Sequence, residues 1–379
     1  MGIDAGIREA ILRGQPPGPA QLDDVVAAGT LRLGRSGAGE VRASLGAALL
    51  GAGPLEPHLA DQCVTDVLVN GDGSVWVDRG DGLERSSGEP LGAEGARLLA
   101  VRLAGQAGRR LDESQPWVDG LLPNGVRLHA VLPPLVDGGA HLSLRVPRRA
   151  RSRLPELGAA GMFDDETGGL LRRLVEQRVS FLVTGGTGSG KTTLLGALLA
   201  EVPADERVVV VEDVRELAVS HPHVVRLQSR AANVEGAGEV TLVDLVRQAL
   251  RMRPDRLVVG EVRGAEVREL LAALNTGHEG GCGTVHANSA EDVPARLEAL
   301  AGLGGLERSA VHAQVAAALD ATIHISRDQA GRRRVSEVSV FVRDPTTALV
   351  RTERAVEFTR DGRSVRGPGS RQLERLLDR

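Results

Sequence analysis

Lys191 is the only lysine in the chain; the rest of its 46 Lys and Arg residues are arginine. It sits in the run Gly185-Gly186-Thr187-Gly188-Ser189-Gly190-Lys191-Thr192-Thr193, which fits the spacing Gly-x-x-x-x-Gly-Lys-Ser/Thr. Glycines in such a run let backbone N–H groups curl around phosphate oxygens with no Cβ in the way. A helix starting at its end adds free N–H donors and a positive dipole end. The ammonium of Lys191 suits the β- and γ-phosphates, and the Thr192 hydroxyl suits Mg²⁺. A chain that writes arginine almost everywhere keeps lysine where a planar fork does not fit. All nine residues from Gly185 to Thr193 are therefore expected to hold nucleotide phosphates. The guanine-reading signature Asn-Lys-x-Asp needs a second lysine, so ATP is the expected nucleotide.

Phosphoryl transfer also needs a carboxylate at a neighbouring strand end, to hold Mg²⁺ or its water and to orient the attacking water. Two places supply one. Val208 to Val211 leads into Glu212-Asp213, and Leu257-Val258-Val259-Gly260 leads into Glu261. Both follow apolar runs, where ligands of open α/β sheets bind. Beside Thr192, Glu261 is the expected Mg²⁺ carboxylate. Which of Glu212 and Glu261 activates the water is left open. The polar, glycine-dense segment Asn275 to Asn288 carries His278 and His286. Their eight-residue spacing and the lack of a well-spaced third ligand make a poor metal site. A loop with incidental histidines and a sensor of the γ-phosphate remain as readings. Arg247 and Arg251 lie one helical turn apart and read as a solvated face.

The elements that must position these groups change character along the chain. Residues 1–50 read as a helical N-terminal extension, for example Gly39 to Leu50. Residues 51–146 read as a smaller α+β domain: strands at Val64 to Asn70, Ser74 to Asp78, Val126 to Leu132 and His141 to Val146, with a helix over Gly92 to Ala107. Residues 147–156 hold Arg148, Arg149, Arg151 and Arg153 between prolines and read as a linker. From 157 to 345 strands and helices alternate, the mark of a parallel sheet covered by helices. Strands are expected at Val179 to Thr184, Val208 to Val211, Leu257 to Val259, Gly283 to Val285, Ala321 to Ile325 and Val335 to Val342. Thr241 and Asp244 form a cap-like pair before the helix Leu242 to Met252, and Ser289 and Asp292 do so before Val293 to Leu303. Residues 346–379 are charged and read as peripheral.

Composition narrows the setting. Hydrophobic residues make up 42% and charged residues 25%, enough for packed cores. A net charge of −4, no Tyr, four Phe and two Trp argue against a dedicated nucleic-acid binder, which needs a basic face or stacking platforms. Two distant cysteines, Cys63 and Cys282, give no disulfide framework or zinc module and fit a reducing, cytoplasmic setting. No run approaches about 18 consecutive apolar residues, so no membrane span is expected.

Taken in order, the motifs resemble those of the secretion ATPases of type II, type IV and tight-adherence pilus systems, most of all the tight-adherence branch, TadA or CpaF. The likeness runs from about Gly51 to Arg343. It rests on GPLEPHLADQCVTDVLVNG, GRRLDESQPWVDGLLPNGVRLHAVLPP and SLRVP in the N-terminal part. Further on it rests on GGTGSGKTT, VVVVEDVREL, RMRPDRLVVGEVRG and LNTGHEGGCGTVHANS. The resemblance implies a RecA-like P-loop core, a homohexameric ring and nucleotide held between the two domains. It makes Glu261 the Walker B acid, places Glu212 in the Asp box and turns His286 toward the nucleotide. Arg127 and Arg145 match N-terminal arginines that contact phosphate. The implied activity is ATP hydrolysis driving pilus assembly or secretion from the inner face of the cell membrane, docked on platform proteins there. A conjugation or DNA-translocating ATPase is the alternative. The four-cysteine zinc module of many type II enzymes is missing, and Cys282 stands where a larger apolar residue is usual.

Overall fold

The structure is a computed structural model, and it describes residues 51–379 apart from 62, 81, 147–152, 231, 233–236, 329–330 and 360–362. The helical extension expected over 1–50, and most of the expected linker, lie outside the described residues. The chain divides into two compact units, one up to Val146 and one from Arg153 onward among the described residues.

The first unit is a six-stranded sheet in the order β3-β2-β1-β6-β5-β4. Its strands are β1 (Asp66–Val69), β2 (Val75–Asp78), β3 (Leu83–Arg85), β4 (Trp117–Leu121), β5 (Arg127–Val131) and β6 (His141–Arg145), all paired antiparallel. Alternate residues point to one face: Val67 and Val69, Leu128 and Ala130, Leu142 and Leu144 are buried, and their neighbours are not. The helix Gly92–Gln106 covers that face with Ala96, Leu99, Ala100, Leu103 and Ala104. Residues on the other face, such as Asp66, Leu68, His129 and Ser143, are exposed or half-buried among the described residues, as antiparallel sheets allow.

The second unit holds a nine-stranded sheet, β15-β14-β13-β12-β7-β11-β10-β8-β9. Its strands are β7 (Phe181–Gly185), β8 (Val208–Glu212), β9 (Val224–Gln228), β10 (Arg256–Val262), β11 (Cys282–His286), β12 (Ala321–Arg327), β13 (Arg333–Arg343), β14 (Val350–Phe358) and β15 (Ser364–Arg366). From β12 to β9 the pairing is parallel; β13, β14 and β15 continue it antiparallel. Every residue of β7 and β8 is buried, which is why these strands read as unbroken apolar runs: helices pack on both faces. Phe181, Val183, Val208 and Val210 face the helices Asp165–Glu176, Lys191–Leu199 and Ser370–Leu377. Leu182, Val209, Val211, Leu257 and Val259 face Leu242–Leu250, Glu266–Leu274, Val293–Leu303 and Arg308–Ala318. This is the RecA-like α/β core with a smaller α+β domain ahead of it. Thr241 caps its helix as expected, its hydroxyl accepting from the Asp244 N–H while Asp244 accepts from the Thr241 N–H.

Two boundaries differ from the expectation. The segment 346–379 is not peripheral: β14 and β15 extend the sheet, and Leu373, Leu376 and Leu377 of the last helix are buried in its core. Its charges mark the exposed face of an antiparallel strand, while Val350, Ala355 and Phe358 point inward. The end of the expected linker also belongs to the second unit: the helix Leu154–Ala159 begins within 147–156 and buries Leu154 and Leu157.

Candidate active site

The phosphate loop leaves β7 at its C-terminal end. There Gly185 is registered against His286 of β11 on one side and Ile325 of β12 on the other. Gly185 has φ +148°, and a Cβ on it would lie 2.4 Å from the Ile325 carbonyl oxygen, so no other residue fits. Gly188 and Gly190 are also left-handed, and the helix Lys191–Leu199 starts directly after the second. No side chain caps that helix, which leaves its first N–H groups facing the loop. Thr192 is half-buried and Thr193 exposed in its first turn, while Gly186, Thr187 and Gly188 are exposed in the loop. Ser189 is buried, and its Oγ has no hydrogen-bond partner.

Lys191 lies inside this curl. Its Nζ donates to the carbonyls of Gly185 and Gly186 at 3.0 and 2.8 Å and lies 3.4 Å from Nδ1 of His286. On the far side of the same imidazole, Nε2 is 2.6 Å from Oε1 of Glu261. The guanidinium of Arg263 holds the other oxygen, Oε2. Adjacent strands thus line up ammonium, imidazole and carboxylate, β7 through the loop, then β11, then β10. The ammonium sets the tautomer: Nδ1 facing Lys191 must accept, which leaves the proton of the neutral ring on Nε2, in contact with the carboxylate though not in hydrogen-bond geometry with Oε1. Burial and the nearby Lys191 charge hold His286 below its ordinary pKa against the pull of Glu261, so the ring is neutral at pH 7. Burial likewise lowers Lys191, with Glu261 opposing.

Glu212 ends β8 and is buried, 3% exposed. Its Oε1 accepts from the N–H groups of Glu216 and Leu217 at 3.0 and 2.7 Å, which fixes the loop after β8. Its Oε2 is buried without a hydrogen-bond partner. Burial outweighs those bonds and raises its pKa. Glycine at 260 follows from this: a Cβ there would lie 2.6 Å from Cγ of Glu212.

In the first unit Arg127 and Arg145 are direct partners across β5 and β6. Arg145 is also registered against Asp66 of β1, which places an opposite charge beside the like-charged pair. The two arginines lie on the strand face that does not bury Leu128 and Leu144. The second unit carries the other site residues and gathers Lys191, His286 and Glu261 into one chain of contacts. His278 points elsewhere, its Nδ1 3.2 Å from the Ala273 carbonyl oxygen at a helix end.

Three residues of this neighbourhood escape sequence reasoning. Arg263 lies two positions past Glu261 and one past the end of β10, close enough in sequence for the two side chains to meet, and that was the available signal. His324 is buried with Nδ1 2.8 Å from Oγ1 of Thr184, and Arg327 donates to the Gly188 carbonyl at 2.6 Å. Both depend on β12 pairing with β7, about 140 residues away, which no local pattern shows.

The oxygen donors fit Mg²⁺, a hard cation that keeps phosphates and waters as most of its ligands. Among the described residues no group of three His, Cys, Asp or Glu could hold an ion unaided. The unpartnered Oγ of Ser189 lies in the loop after β7 and Thr192 in the first turn of the helix that follows, while the unpartnered Oε2 of Glu212 and Oε1 of Glu261 lie at the C-terminal ends of β8 and β10. Among the described residues, no helix is long and apolar enough to cross a membrane.

Known proteins are similar to this chain in sequence and fold. The profile of the type II/IV secretion system protein family matches residues 48–372. A Mycobacterium tuberculosis protein named for conjugal transfer is 59% identical over 299 residues, 77% of this chain and 85% of its own. The type IV secretion system protein PtlH of Bordetella pertussis is 33% identical over 326 residues, 76% of this chain and 93% of its own. Among solved structures, the ATPase DotB of Legionella pneumophila superposes with a TM-score of 0.55 at 21% identity, over 78% of this chain and 81% of that one. A profile spanning most of the chain and two long alignments above 30% identity agree, and the chain belongs to the type II/IV secretion system protein family.

Proposed function

We propose that this chain binds ATP with Mg²⁺ in the loop Gly185 to Thr193 and hydrolyses it as a homohexameric motor. The motor serves a pilus or secretion machine and docks on platform proteins at the inner face of the membrane. The observation that carries this reading is the Lys191–His286–Glu261 contact chain beneath a phosphate loop. Lys191 would pass from the loop carbonyls to the β- and γ-phosphates. That move loosens its contact with His286, and the imidazole, still beside Glu261, can carry the change to the carboxylate that orients the attacking water. Glu212 keeps one oxygen for the loop after β8 and one for the site. Arg127 and Arg145 would stabilise charge on the transferring phosphoryl group. Thr192 and Glu261, with Glu212 nearby, would hold Mg²⁺, which neutralises phosphate charge.

The motif order supports the tight-adherence branch. A second reading, a motor of a conjugation system, is favoured by the 59% identity to a protein named for conjugal transfer. The net charge of −4 and the few aromatics speak against direct DNA handling. One experiment separates them. The Glu261→Gln variant, loaded with ATP, is used to capture partners from membranes, and the recovered proteins are identified by mass spectrometry. ATP-dependent recovery of multi-pass platform proteins supports the pilus or secretion motor. Recovery of DNA-processing proteins moves the reading to conjugation, and normal ATP turnover by the variant removes Glu261 from its role.

A further inference from the structure

The loop has a second flank that the hydrolytic reading does not use. β12 runs two residues past Ile325, its last partner on β7, and ends at Arg327 beside the loop. There the exposed Arg327 guanidinium donates to the Gly188 carbonyl at 2.6 Å. Arg327 and Arg333 are direct partners across β12 and β13, and Arg333 passes the other loop glycine: a Cβ on Gly190 would lie 3.3 Å from its Cδ. A like-charged cross-strand pair therefore stands against the outside of the loop, on the side away from His286.

A peptide that turns its N–H into a phosphate nest turns its carbonyl out, and that carbonyl needs a donor of its own; the carbonyls of Gly185 and Gly186 are met by Lys191 instead. Arg327 supplies one to Gly188. The same peptide unit carries the N–H of Ser189, whose turn bond to the Gly186 carbonyl is long, at 3.4 Å. A cation on the carbonyl polarises that peptide and leaves its N–H a stronger donor to an anion.

We infer that Arg327 is a positioning residue of the phosphate loop: it fixes the Gly188–Ser189 peptide with its N–H toward the phosphates and so sets nucleotide affinity without taking part in hydrolysis. This rests on the reading that the loop binds nucleotide phosphates.

The test compares wild type, Arg327→Ala, Arg327→Lys and Lys191→Ala by calorimetric titration with ADP and with inorganic pyrophosphate, alongside ATPase kinetics and melting of the ligand-free proteins. Arg327→Ala should weaken both ligands by the same factor, roughly tenfold for a lost charged hydrogen bond. KM should rise while kcat holds, Arg327→Lys should recover most of the loss, and melting should not change. Equal affinity in wild type and Arg327→Ala overturns the inference. So does a loss in kcat alone, or a loss that follows a lower melting temperature. If wild type itself binds neither ligand, the nucleotide reading fails instead, and Lys191→Ala matching wild type would show that failure.

Discussion

The strands β8 and β10 carry charged groups at both ends, and the two ends are built in opposite ways. At the N-terminal end Arg256 is 1% exposed, and its donors are used. Nε and NH2 reach Glu206 Oε2 at 2.5 Å and the Val175 carbonyl at 2.9 Å, and Arg178 holds the second oxygen of Glu206 at 2.9 Å. Burial pushes the Glu206 carboxyl up, but the bonds and charges of Arg256 and Arg178 outweigh it and keep its pKa low. At the C-terminal end Oε2 of Glu212 has no hydrogen-bond partner, and Lys191 spends its protons on loop carbonyls. At the N-terminal end Nε of Arg207 is buried without a partner, but both carboxylate oxygens of Glu206 are held. At the C-terminal end it is carboxylate oxygens, Oε2 of Glu212 and Oε1 of Glu261, that are left wanting, as at a site that receives a ligand.

The sharpest way to break this contrast is to open the sealed end. Arg256→Met leaves Glu206 buried with only Arg178, a half-exposed partner, and should cost about 3–5 kcal/mol of stability in denaturant titration. Arg256→Met combined with Glu206→Leu should recover most of that, because the cost lies in the uncompensated charge. ATP turnover per folded molecule should be unchanged in both. Loss of turnover without loss of stability would place Arg256 in the site and erase the distinction.

At the open end the same kind of deletion should do the reverse. Lys191→Ala should cut ATP turnover by roughly a hundredfold or more, as expected when a phosphate-binding cation is lost. Its effect on stability should be small or favourable. Burial lowers the folded pKa of Lys191, so keeping the ammonium charged costs stability at any pH below that value. A melting temperature several degrees below wild type would show that the lysine braces the loop rather than waiting for phosphate.

The open end is the legible one, and the reason is physical. The left-handed turns of the loop after β7 impose glycine at fixed local spacing, and doubly covered parallel strands impose apolar runs, so Gly185 to Thr193, Val208 to Val211 and Leu257 to Val259 stand out. Arg256 and Glu206 are 50 residues apart and meet only because Arg256 pairs with Val208 in the sheet. β9 sits at the sheet edge with every residue half-buried, so its pattern blurs. β14 reads as a charged tail because one face meets water. Local chemistry shows in sequence; contacts set by strand order do not. The roles of Glu212 and Gly260 lie between, since a strand-end acid is visible but its packing against a glycine of the next strand is not.

The smallest expected effect is also the most specific to Glu212. Its folded pKa lies above the ordinary 4.5 because of burial. The unfolded chain therefore releases this proton first as pH rises. Across the window from about 4.5 up to the raised folded value, the folded state holds more protons than the unfolded one, and stability falls. Above that window the penalty is fully present. Glu212→Gln keeps an oxygen for the N–H groups of Glu216 and Leu217 and cannot ionise. The melting temperature of the variant minus that of wild type should therefore increase between pH 4.5 and neutrality, while ATP turnover falls. The buried amide brings an unpaired donor, which shifts the whole curve without tilting it. A slope of zero would mean that Glu212 ionises in the fold as it does in the unfolded chain. The open end would then be as well satisfied as the sealed one.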